Sequence, residues 1–261
     1  MFRRPEHLSR TTHATLCYDP NQSYSFAANE IRVPVLAAEV TMVARDYVVV
    51  FDAKTPVACA LLGVERDKNA YVNERGQWYG RYRPAVIRSY PFTMVPVTGD
   101  VPSPTGEQNF SIVIDADAMH LSQSEGERLF DSDGQPTAIL QKVQSVLTAL
   151  QKDNFRTAHL IGQLEAHGLL VSRYLTVERN KSTLSGLRVV DAEALAKLEP
   201  AALAELRTSG ALEIAYAQLL SLNNLRDSPL SWGGETAHKE PDRKSMSLFE
   251  EGGDIDLDFL N

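Results

Sequence analysis

From residue 31 to about residue 116, apolar side chains come in short runs separated by polar and turn-forming positions. Ile31-Arg32-Val33-Pro34-Val35 alternates, whereas Tyr47-Val48-Val49-Val50-Phe51 and the stretch Val57 to Val64 are nearly continuous. Ser111-Ile112-Val113-Ile114-Asp115 closes the series. β-Branched and aromatic residues in runs near five residues long predict strands rather than helix. Glu39 to Tyr47 reads as a short helix between two of these strands.

The period then changes. Ile139, Val143, Val146, Leu147 and Leu150 recur at helical spacing, which predicts an amphipathic helix over about 136–151. Thr157 to His167 is helical in the same style, with Leu160, Ile161 and Leu164 on one face and Gly168 as its stop. Asp191 stands where an N-cap belongs, ahead of Leu195 and Leu198. Pro200 opens the next helix at its first turn, Leu203 and Leu206 form its apolar face, and Gly210 breaks it. Ala211 to Leu222 is apolar enough to predict a core helix.

These patterns divide the chain into a polar, turn-rich lead-in (1–30), a mostly β part (31–116), a mostly helical part (117–230), and a linker with a tail (231–261). The fold class expected is α+β. A mostly antiparallel β N-terminal part packs against a helical C-terminal part, and a flexible acidic tail follows. Within the β part, Pro96 to Asn109 carries three prolines and two glycines and reads as a loop. Residues 231–247 are polar, as a linker is. The tail Asp254-Ile255-Asp256-Leu257-Asp258-Phe259-Leu260-Asn261 alternates acidic and apolar side chains. In an extended strand Ile255, Leu257 and Phe259 share one side and the carboxylates the other, which suits docking on a sheet edge or in a groove. The tail can fold back onto the chain's own body or stay disordered, dock a protein partner, or serve as an export signal.

Composition narrows the function classes. The chain has 261 residues, 43% of them hydrophobic, enough for an ample core without disulfides or a structural metal. A net charge of −8 repels phosphate backbones, and Arg3-Arg4 and Arg81-Tyr82-Arg83 are too short to reverse it, so no nucleic-acid partner is expected. Cys17 and Cys59 make no disulfide framework, and Cys59 sits in the apolar run Val57 to Leu62 as a buried hydrophobe. No apolar stretch follows Met1-Phe2-Arg3-Arg4-Pro5, and no run of roughly 18 apolar residues occurs anywhere. The expectation is a cytoplasmic protein without a membrane span; export without a cleaved signal is the alternative.

Candidate chemistry concentrates in one segment. Trp78, Tyr79, Tyr82, Tyr90 and Phe92 interleave with Arg75, Arg81, Arg83 and Arg88. Aromatic faces beside guanidinium groups can hold a sugar, a peptide or an anionic ligand. Trp78, Tyr82, Arg88 and Tyr90 are therefore the candidate ligand-binding residues. The competing reading packs the aromatics beside the strands and pairs the arginines with carboxylates. The six histidines show no HxH, HxD or HExxH spacing, and no metal or other cofactor is expected. The pairs Asp115/Asp117 and Asp131/Asp133 suit turns and caps better than cation binding. No G-x-S-x-G elbow or phosphate loop is present, so nothing marks an enzyme.

Gly76-Gln77-Trp78, Tyr82-Arg83-Pro84-Ala85 and Arg88-Ser89-Tyr90-Pro91-Phe92 also carry a resemblance. With Leu61-Leu62-Gly63, Leu129 to Gly134, Gly168-Leu169-Leu170, Val190-Asp191, Gly210-Ala211-Leu212 and Ile214 to Leu222, they follow the order and spacing of the SapC family over most of residues 10–230. The resemblance implies a bacterial protein of a family named for surface-layer association, with no established reaction. The peptide-transport label some members carry would require spanning helices. The function expected is a non-enzymatic binding or accessory protein, engaging a protein partner through residues 254–260 or the aromatic–arginine segment. The alternatives are an enzyme or small-ligand binder with its site near Trp78, Arg88 and Tyr90, and an exported surface-layer component.

Overall fold

The computed structural model describes residues 1–97, 109–177, 182–226 and 228–232. The strands are β1 (Pro5–His7), β2 (Cys17–Tyr18), β3 (Arg32–Val35), β4 (Val48–Asp52), β5 (Ala58–Leu61), β6 (Phe92–Pro96), β7 (Phe110–Asp115), β8 (Leu121–Ser122), β9 (Glu127–Arg128), β10 (Leu170–Val177) and β11 (Ser182–Val190). The helices are α1 (Val40–Ala44), α2 (Ala85–Arg88), α3 (Ala138–Ala166), α4 (Ala192–Ala196), α5 (Pro200–Ser209), α6 (Ala211–Ser221) and α7 (Pro229–Trp232). The α+β class holds, with antiparallel sheets built mostly from the N-terminal part and most of the helix from the C-terminal part.

The main sheet runs β10-β11-β4-β5-β3, every pairing antiparallel. β4 lies at its centre and is buried from Val48 to Phe51, which is why its apolar run is continuous rather than alternating. β3 is an edge strand, so Pro34 costs the ladder no essential donor. A small sheet, β1-β7-β6, pins the lead-in, and β8-β2-β9 forms a second. Asp115 tightens the first of these, accepting from the backbone N–H of Arg3 (3.1 Å) and Arg4 (2.9 Å).

The β10–β11 hairpin is not announced by the hydrophobic pattern. It lies among helical segments yet extends the main sheet through Leu187↔Asp52 and Arg188↔Phe51. That pairing is only two residues long, so neighbouring backbone groups of β4 and β11 need other partners. Helix α6 supplies them. Gln218 accepts from Val190 N–H (2.9 Å) and donates to the Val49 carbonyl (3.2 Å), while Ser221 Oγ accepts from Val49 N–H (2.9 Å). Two buried polar side chains on an otherwise apolar helix thus complete the centre of the sheet.

The two helical segments expected over 136–151 and 157–167 are one helix, α3, of 29 residues. The polar stretch between them contains neither proline nor glycine, so nothing ends the first segment. Leu140 and Leu147 enter a core with Tyr18, Phe92, Ile114 and Leu129; Leu160, Ile161 and Leu164 enter the larger core under the main sheet. Gly168, at φ +67°, stops α3 as its left-handed cap. The other expected signals stand: the Asp191 carboxylate caps α4 through Glu193 and Ala194 N–H, Pro200 starts α5, and Gly210 ends it at φ +95°. Most of the expected 96–109 loop and all of residues 254–260 lie outside the described residues.

Candidate functional site

The segment from Tyr71 to Arg83 crosses the body without regular structure, and three polar residues fix its course. The Asn73 carboxamide accepts from the N–H groups of Arg75 (3.0 Å) and Gln77 (2.8 Å) and donates to Gln77 Oε1 (2.8 Å) and the Tyr79 hydroxyl (2.9 Å). This turns the chain so that Val72 and Trp78 form a β-bridge. Gly76 sits within that turn at φ +71°, where a Cβ would also overlap Ser25.

The second residue is Tyr47, fully buried at the end of β4. Its hydroxyl donates to the Tyr82 carbonyl and accepts from the Trp78 indole N–H at 2.9 Å. A Cβ on Gly80 would overlap that hydroxyl and lie 2.8 Å from Trp78 Nε1, so glycine permits the approach. Burial pushes the Tyr47 hydroxyl far above the usual tyrosine pKa, which keeps it a neutral donor. The third residue is Asp46. Its carboxylate accepts from Arg81 Nε and Tyr82 N–H, both at 2.9 Å, and its carbonyl accepts from Tyr71 Oη at 2.8 Å.

Opposite this loop runs Asn21 to Tyr24, and an open cleft of about 470 Å³ separates the two. Trp78 meets Tyr24 edge to face, ring centroids 5.9 Å apart. The Arg83 guanidinium lies 5.3 Å above the Tyr24 ring and also donates to its hydroxyl. Arg75, Arg81 and Arg83 line the cleft, Gln22 and Gln77 add amide groups, and no aspartate or glutamate is among the lining residues. Arg81 is shared with Asp46, while Arg75 and Arg83 form no salt bridge among the described residues. On a chain of net charge −8 the cleft thus gathers three guanidinium groups beside an aromatic face, with Asp46 behind Arg81 and Asp19 holding the Gln22 amide at 2.7 Å.

The four candidate residues Trp78, Tyr82, Arg88 and Tyr90 do not converge. Trp78 alone lines the cleft. Tyr82 and Arg88 gather around the buried carboxylate of Glu39, which accepts from the Tyr82 hydroxyl and from Ala85 N–H, both at 2.8 Å. Arg88 donates to the Tyr82 hydroxyl (3.0 Å) and the Arg83 carbonyl (3.0 Å), with Glu39 at 4.0 Å. Burial, then the hydrogen bond to Glu39, raises the Tyr82 pKa. Tyr90 is buried elsewhere. It stacks on Phe26 at 3.7 Å, and its hydroxyl donates to Asp115 at 2.7 Å. Tyr82 and Tyr90 are thus packed and paired, whereas Arg88, 54% exposed, lines a different groove.

Sequence reading named Arg75, Arg81 and Arg83 but missed the opposite wall. Asn21, Gln22 and Tyr24 lie in the lead-in, and their only signal is the turn Asp19-Pro20-Asn21-Gln22. His120 is also buried, edge-on to Tyr90 and Phe26, with Nδ1 unpaired among the described residues; burial lowers its pKa. Asp131 serves a turn, accepting from Asp133 and Gln135 N–H. Cys17 and Cys59 are free and buried, and burial pushes the Cys59 thiol up to about 11. Among the described residues no group of three or more His, Cys, Asp or Glu is placed to hold a metal ion. No described helix is long and apolar enough to cross a membrane.

The chain belongs to the SapC family, whose model matches residues 8–227. Searches of curated proteins and of solved structures returned no match.

Proposed function

We propose that this SapC-family chain is a non-enzymatic binding protein that receives an acidic segment of a protein partner in the Trp78 cleft. One observation carries the reading: three arginines and two aromatic rings line a cleft without a single carboxylate, on a protein that is acidic overall. Guanidinium groups match carboxylates through forked hydrogen bonds, and the Trp78 and Tyr24 rings offer apolar surface for what lies between the charges. The indole N–H is already satisfied by Tyr47, so Trp78 contributes ring surface rather than a donor.

The cleft's shape favours a segment over a small molecule. Small-ligand sites enclose most of their ligand, whereas this cleft is wide open, as a surface that admits a protruding chain is. The arginines also supply steering, which speeds encounter with an acidic partner and weakens as salt rises.

A photo-crosslinking residue in place of the exposed Gln77 tests this in the full chain within its native host. The expected product joins position 77 to one region of a partner rich in Asp or Glu, and the yield falls when Arg75→Glu and Arg83→Glu are added. Products scattered over peptides of no common charge would overturn the reading.

A further inference from the structure

We propose that the chain's own tail, residues 254–260, seats in a second groove, between α3 and the segment Tyr18 to Pro20. The groove encloses about 200 Å³ and is lined mainly by apolar side chains. On the α3 side these are Ile139, Val143 and Val146; Tyr18 and Phe92 lie across from them. Two cations stand on the lining, Lys142 and Arg88, and no carboxylate does. Lys142 has no ion pair among the described residues. Ile139 and Val143 pack partly against the second core, while Val146 remains 45% exposed, so the groove continues onto an apolar side chain open to solvent.

The tail carries the complementary pattern. Ile255, Leu257 and Phe259 fall on one side of an extended strand, and Asp254, Asp256 and Asp258 on the other. Residues 250–261 hold five acids and no lysine or arginine, so most of the chain's net charge of −8 is concentrated there. Alternate residues of a strand are roughly 6.6 Å apart, which puts Ile255 and Phe259 roughly 13 Å from each other. Ile139 and Val146 lie seven positions apart on α3, roughly 10.5 Å at helical rise. Ile255 and Leu257 fall within that length and Phe259 reaches just past its end, with carboxylates left at the rim toward Lys142 and Arg88.

Reach is not limiting. The described chain ends at Trp232, 22 positions before Asp254, and that tether spans up to roughly 70 Å when extended. A body of this size is roughly 45 Å across, from a radius of gyration near 17 Å. An intramolecular tail also needs little intrinsic affinity, because its effective concentration is of millimolar order.

Disulfide trapping in the full chain tests the proposal, since the native Cys17 and Cys59 are buried. Leu257→Cys is paired either with Val146→Cys, in the groove, or with Leu220→Cys on α6, a more exposed site (67% against 45%) that accessibility alone would favour. Seating in the groove gives an intramolecular crosslink at least ten-fold faster with position 146 than with 220. Lys142→Glu should slow it, and Asp256→Lys in that background should restore it. Equal rates at both positions would overturn the proposal, and so would crosslinks formed only between two copies. The outcome is independent of the Trp78 cleft, whose lining shares no residue with this groove.

Discussion

The indole N–H of Trp78 donates to the hydroxyl of Tyr47 at 2.9 Å, and through this bond the core holds the cleft in place. Tyr47 is fully buried among the strands, while Trp78 is half-buried at the surface. The same hydroxyl donates to the Tyr82 carbonyl, so one buried oxygen ties both ends of the Trp78–Tyr82 stretch.

Tyr47→Phe should therefore loosen the site more than the core. The ring volume stays, but Trp78 Nε1 and the Tyr82 carbonyl each lose a partner, a cost of about 1–3 kcal/mol. Urea denaturation should show that loss, and in a Trp232→Phe background Trp78 emission should shift to the red in the still-folded protein.

Glu39 and Arg88 should behave unequally although they lie 4.0 Å apart. Glu39→Ala strands the Tyr82 hydroxyl and Ala85 N–H, both held at 2.8 Å, and should cost about 2–4 kcal/mol. Arg88→Ala removes an exposed guanidinium and should cost about 1 kcal/mol or less. Chemical denaturation of the two variants checks the order; equal losses would mean that Glu39 is not the organising group.

Acid should weaken the fold in two steps. Burial drives the His120 pKa below its usual 6.5, so the unfolded chain binds the proton more readily. The stability linked to His120 is full above about pH 6.5 and is lost as pH falls through the lower folded value. For Asp115, burial pushes the pKa up, but hydrogen bonds from Arg4 N–H, the Tyr90 hydroxyl and Arg3 N–H outweigh it and hold it below 3.8. Its contribution is full above that unfolded value and disappears as pH falls through the folded one. Urea midpoints measured against pH should fall less below pH 6.5 in His120→Gln and less below pH 3.8 in Asp115→Asn than in the parent chain.

Legibility followed locality. The β4 run, the Asp191 cap, the proline at the start of α5 and the glycine stops at 168 and 210 are determined by residues near in sequence, and each stands where expected. The β10–β11 hairpin was hidden because its partner strand β4 is more than a hundred residues away, and because Gln218 and Ser221 complete its neighbourhood from a third element. At the site, the interleaving of Trp78 with Arg75, Arg81 and Arg83 marked the loop that lines the cleft. Tyr82 and Tyr90 share its composition, yet buried carboxylates, Glu39 and Asp115, claim their hydroxyls, and Arg88 lines a different groove. A pattern of charged and aromatic letters does not reveal which side chains will find an internal partner. The opposite wall, Asn21 to Tyr24, is brought in by the fold alone.

The central claim is that the Trp78 cleft recognises acidic chain segments, and indole fluorescence tests it directly. The chain has two tryptophans, so Trp232→Phe in the full protein leaves Trp78 as the only reporter. Titration with a peptide alternating glutamate and tyrosine should give a saturable change in Trp78 emission that weakens with added salt. The matching glutamine–tyrosine peptide should not, and Arg75→Glu with Arg83→Glu should weaken the response at least ten-fold. The same titration curve for the charge-reversed protein, or no saturable change with the acidic peptide, would contradict the claim.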